Sequence, residues 1–146
     1  MLRNVMLAGA AILLSGCEVP VMIAAAQNDG QMTGAFEITF PAMMLVQFDD
    51  GSEELLPGEL RGHANGSAEY TVTGPTWGTC EGKVTRAGDI DMTCDGGVAI
   101  KMNVGAQRPK MSGVNVASGV ALGTPYKSAF GWGKSGTEAA VRAALE

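Results

Sequence analysis

Three cysteines, a single histidine and one run of carboxylates are the side chains in this 146-residue chain with chemistry beyond packing. Cys80 and Cys94 lie in two stretches of alternating apolar and polar residues, 80–85 and 89–94, separated by Arg86-Ala87-Gly88. A three-residue loop ending in Gly fits a type I turn closed by a left-handed residue, a common hairpin connection. Setting Thr85 opposite Asp89 then puts Val84 opposite Ile90, Lys83 opposite Asp91, Gly82 opposite Met92 and Cys80 opposite Cys94. Opposed residues have Cα atoms about 4.5–5.5 Å apart, within the span of a disulfide. Turn chemistry, alternation and the Lys83–Asp91 charge pair select one register, so a Cys80–Cys94 disulfide on the apolar face is expected. Redox chemistry is not, because the spacing is not Cys-X-X-Cys and the setting is apolar.

His63 stands in Gly62-His63-Ala64-Asn65-Gly66, a turn-like setting, with no second histidine in the chain to share a metal. A serine hydrolase would want a Gly-X-Ser-X-Gly elbow to go with that base, and the sequence has none. The run Asp49-Asp50-Gly51-Ser52-Glu53-Glu54 lacks the alternating oxygen ligands of a calcium loop and reads as a solvated hairpin tip. Gly133-Lys134-Ser135 has the form of the end of a phosphate loop, but Ser128 stands where its first Gly belongs. Met43, Met44, Met92, Met102 and Met111 are not spaced as a soft-metal set and are assigned to packing. Trp77, Tyr126 and Trp132 adjoin Gly or Pro near strand ends, where rings cover exposed backbone. Neither a catalytic set, nor a metal site, nor a cofactor site is therefore expected. A formal net charge of −5, without a cluster of Lys and Arg, argues against nucleic acid as a partner.

Residues 1–16 place one positive charge, Arg3, ahead of the apolar stretch 5–14 and the small pair Ser15-Gly16. This is the layout of a secretory signal, too short to span a bilayer. Leu14-Ser15-Gly16-Cys17 resembles the lipobox of bacterial lipoproteins. The resemblance implies cleavage before Cys17, a diacylglycerol on its thiol and a further acyl chain on its freed amine. Two or three chains anchor stably where one does not. Glu18, in place of the Asp that retains such proteins at the inner membrane of enteric-type bacteria, implies the outer membrane as destination. Export also implies an oxidising compartment, in which the Cys80–Cys94 bond would persist. The resemblance covers the leader alone.

The elements that must position these residues are short. The chain has 21 glycines and only 17% charged residues, a balance of tight turns over long helices. Division into a signal peptide at 1–16, a lipidated N-terminus and short tether at 17–32 and one β-rich domain at 33–146 is expected. Residues 18–27 are not a Ser/Gly-rich linker, so the domain should sit close to the lipid surface. Strands are expected at 34–40, ended by Pro41, and at 43–48, followed by an Asp50-Gly51 hairpin signal. Leu55, Leu56 and Leu60 around Pro57-Gly58 read as a bent or edge strand. Further strands are expected at 66–73, in a three-stranded meander over 79–104, and at 112–122 and 129–132. Ser135-Gly136-Thr137-Glu138 has the form of a capping box, ahead of two helical turns that pack Val141 and Leu145. About eight short strands at regular spacing imply a mainly β fold, a small antiparallel barrel or sandwich with a short C-terminal helix.

The function expected from these features is that of an envelope lipoprotein. Its partners would be membrane lipid, through acylated Cys17, and an envelope protein bound by a non-catalytic β-domain. The alternatives are a carrier of a small apolar ligand inside a barrel and a hydrolase built on His63 and a nearby carboxylate.

Overall fold

Period-two alternation forces each of these segments to bury one face, and tight turns then pair each strand with the next. The computed structural model describes residues 18–106 and 108–146. The leader and the lipobox Leu14-Ser15-Gly16-Cys17 lie outside the described residues. Helix α1 (Glu18–Ala26) precedes nine strands: β1 (Gln31–Gly34), β2 (Glu37–Phe48), β3 (Glu53–His63), β4 (Ala68–Gly74), β5 (Gly78–Val84), β6 (Asp89–Cys94), β7 (Ala99–Asn103), β8 (Gly113–Ala121) and β9 (Thr124–Trp132). A 3-10 turn at Gly133–Ser135 and helix α2 (Glu138–Ala143) follow.

The sheet order is β7-β6-β5-β4-β3-β2-β9-β8, with β1 added beside the start of β2. Because β2 pairs with both β3 and β9, the antiparallel meander from β2 to β9 curls back on itself. The result is a nearly closed barrel of eight strands, open at the seam between β7 and β8. The sheet is thus a barrel and not a sandwich. One end, here the N-terminal end, carries α1, β1, the turns 64–67 and 85–88 and residues 104–106 and 108–112. The far end carries the turns after β2, β4, β6 and β8.

The cysteine hairpin has the expected register, with Val84, Lys83, Gly82 and Cys80 opposite Ile90, Asp91, Met92 and Cys94. Cys80 and Cys94 are disulfide-bonded, with Cα atoms 4.0 Å apart. Met92 stands opposite Ile100 across the next turn, which holds Asp95-Gly96-Gly97.

Four local expectations need correction. The segment 34–40 is not one strand: Gly34 ends β1, a turn through Phe36 (φ 61°) follows, and β2 starts at Glu37. Pro41 does not end a strand, because β2 runs through it. Phe48 N–H bonds Ser52 O on the β3 side, so odd-numbered nitrogens, including that of Pro41, face the other way. There the β1 ladder stops at Thr39 and the β9 ladder starts at Ala42, so no donor is needed. Likewise β3 is no edge strand, and its Pro57 falls just beyond the β4 ladder, whose terminal pair is Gly58 with Val72. Helix α2 is capped by Thr137 and not Ser135: Thr137 Oγ1 accepts from Ala140 N–H at 3.3 Å, while Ser135 is spent in the 3-10 turn.

Two aromatic groups fill much of the barrel. Phe48 packs edge-on against Trp77 (5.9 Å) and Tyr126 (6.2 Å) toward the far end. Tyr70, Phe130 and Trp132 form the second group, with 4.9 Å between the first two rings. The Tyr70 ring lies over Gly82, where any side chain would collide with it. Met44, Leu56, Leu60, Val72, Met92 and Ile100 complete this core. On the outer face, Val141 of α2 covers Leu45 and Ala129 in a second, smaller cluster.

Candidate functional site

The expected site residues do not converge. His63 is the last residue of β3, and its Nδ1 lies 3.7 Å from Glu37 Oε2, longer than a hydrogen bond. The other oxygen of Glu37 accepts from Thr33 Oγ1 at 2.9 Å and lies 3.9 Å from Arg61. These contacts begin a row of opposed charges across the outer sheet. Arg61 stands opposite Glu69, Glu69 opposite Lys83, Lys83 opposite Asp91, and Asp91 opposite Lys101. Lys83 nevertheless pairs with Glu69 (3.9 Å) and not with Asp91, which is taken by Lys101 at 3.4 Å. The side chains are substantially exposed, so water screens them and the row adds little stability.

The carboxylate run separates into independent tasks. Asp50 Oδ1 accepts from the amide and hydroxyl of Ser52, and these bonds hold its carboxyl below the usual aspartate value. Glu53 makes a two-point contact with Arg142 of α2, at 2.7 and 3.0 Å, which lowers its pKa. Glu54 is not at a solvated tip. It is 3% exposed, on the inner face with Leu56, and its Oε1 accepts from the amides of Thr76 and Trp77 at 2.7 and 2.9 Å. It closes the β4–β5 turn from inside. The signal for this was in the sequence, since Glu54, Leu56 and Leu60 share one face of a period-two strand.

Of the methionines assigned to packing, Met44 and Met92 are buried, and Met43, Met102 and Met111 pack against the two clusters. Trp77 and Tyr126 are buried, and Trp132 is half-buried against Gly113, donating its Nε1–H to Lys110 O at 2.9 Å. Burial raises the hydroxyl pKa of Tyr70 and Tyr126. Lys134 and Ser135 lie in the 3-10 turn after β9. Among the described residues, no group of three or more His, Cys, Asp or Glu side chains could hold a metal ion.

The feature that sequence reasoning passed over is β8. Its register with β9 turns Gly113, Asn115, Ala117, Gly119 and Ala121 inward and Val114, Val116, Ser118 and Val120 outward. Small residues therefore face the barrel, and the valines face out. Val116, Val120 and, in the following turn, Leu122 are 54%, 65% and 69% exposed. The strand carries no charge or proline, the usual guards of a sheet edge, and among the described residues it pairs on one side only. No family model, curated protein or solved structure matches this chain.

Proposed function

We propose that this chain is a lipid-anchored protein of the bacterial envelope, attached through Cys17 most readily to the outer membrane, whose barrel serves to bind another protein. The observation that carries the binding role is the uncharged edge of β8, which among the described residues pairs on one side only, with its exposed valines. Such an edge offers backbone hydrogen bonds to an added strand and apolar area to its outward side chains. The aromatic core favours a contact domain over a carrier, since a carried ligand needs the room those rings occupy. The wide His63–Glu37 separation gives no support to a hydrolase.

A photo-crosslinking residue at Ser118, beside the exposed valines, tests the reading in native envelopes. The expected result is an adduct of one discrete mass from Ser118 and none from Thr71 on the charged wall. Val116→Lys with Val120→Lys should abolish that adduct while leaving the melting temperature nearly unchanged. Equal crosslinking from both positions, or from neither, would remove the proposal.

A further inference from the structure

The large exposed apolar side chains among the described residues fall into two groups. One is the β8 edge. The other is Val19, Val21, Met22 and Ile23 of α1, with Met32 of β1 and Phe36 in the β1–β2 turn. All of the second group belong to the N-terminal end of the barrel. Phe36 is 77% exposed, although its carbonyl is fixed by the amide of Ala64 at 3.0 Å. The ring is thus presented from a bonded turn and not from a loose tail.

Most of the cations without an ion pair lie at the same end. Arg61, Lys83, Lys101 and Arg142 are in ion pairs. Arg86, Arg108, Lys110, Lys127 and Lys134 are exposed and form no ion pair with a described residue. Lys127 lies on β9 toward the far end, and the other four lie at the N-terminal end, in the 85–88 turn, at 108 and 110 after β7 and in the 3-10 turn. That end is knit together: Arg86 and Pro109 both lie against Gly66, and Gly133 abuts the carbonyls of Met111 and Asn28. Of the acidic side chains described there, Glu37 faces Arg61 and His63, Asp89 is bonded to Thr85 and Asn103, and Asp29 is exposed. The far end carries Asp49, Asp50, Glu53 and Asp95 instead. Cys17 directly precedes α1 in the sequence.

We infer that the N-terminal end of the barrel is a docking face for an anionic lipid surface. The exposed apolar residues enter the interfacial region and the four cations meet lipid phosphates. Apolar insertion and anionic attraction are the two terms that hold interfacial elements on membranes. The inference rests on the lipid-anchored reading, to which it adds an orientation: the far end and the β8 edge are left accessible.

The test is amine acetylation of the full chain on vesicles of phosphatidylcholine with and without phosphatidylglycerol, with intact mass recorded on the same preparation. With phosphatidylglycerol, Lys110 and Lys134 should be protected severalfold, while Lys101 and Lys127 react equally on both vesicles. Each cation near an anionic surface contributes about fivefold to partitioning, so Arg108→Glu with Lys110→Glu should return Lys134 nearly to its reactivity on phosphatidylcholine alone. If the chain is acylated yet Lys134 and Lys127 react alike, the anchor stands and this face is refuted. Protection of Lys101 or Lys127 instead would also refute it. If no acyl group is found, the anchor reading fails; flotation with anionic vesicles and the same footprint would still support the face, and absence of flotation would overturn both.

Discussion

Glu54 shows how a side chain's role depends on the face it occupies more than on its neighbours in sequence. Flanked by other acids, it looks solvated, yet the strand turns it inward to satisfy two amides of the β4–β5 turn. Glu54→Ala leaves those donors unpaired beside buried Trp77 and should cost about 1–3 kcal/mol in urea unfolding. Glu54→Gln keeps an acceptor and should cost distinctly less; equal losses would refute the capping role. The disulfide acts chiefly on the unfolded chain, where it closes a short loop. Cys80→Ser with Cys94→Ser should lower stability by about 3 kcal/mol, and an unchanged melting temperature would contradict this. That bond was legible in advance because turn length, alternation and cysteine position all fixed one register. The partner of Lys83 was not, since a flexible side chain at an exposed site chooses between acids on both neighbouring strands.

At the scale of elements, the prolines mark where β2 and β3 change or lose a neighbour. Proline in a strand signals a missing donor, and sequence cannot say whether the strand ends there or merely has no partner on that side. The same ambiguity moved the cap of α2 from Ser135 to Thr137, since either residue has an oxygen to offer an amide. Helix α2 is held to the barrel by buried Val141 and by the Arg142–Glu53 contact. The folded pKa of Glu53 lies below the ordinary glutamate value of 4.5. Its contribution is therefore complete above that value and is lost as pH falls through the lower, folded one. Amide exchange in α2, corrected for intrinsic rates, should accelerate over that acidic range in the parent. In Arg142→Ala it should already be faster at neutral pH and depend less on acidification; parallel profiles would contradict the clamp.

For the whole molecule, strand count, meander order and the C-terminal helix were legible because every neighbouring pair but β2 with β9 is joined by a short turn. Closure was not, because curling depends on the summed twist of eight strands and on which edges finally meet. The seam beside β8 was hidden for a related reason. Its Val-X-Val alternation looks like any half-buried strand, and only the register with β9 shows that the valines face outward. The barrel that results is polarised. One end gathers exposed apolar groups and four of the five cations that have no ion pair among the described residues, the other gathers acids, and the β8 edge runs between them. Each of these features has a place if the molecule is held at a membrane by its N-terminus and meets a protein along its side.

The most direct test of that account is the intact mass and membrane fractionation of the native protein beside a Cys17→Ser variant. The account predicts a mature chain that begins at Cys17, carries acyl chains and fractionates with the membrane, and a variant that does not. A native chain retaining an unmodified Met1, or a variant that fractionates identically, would contradict it.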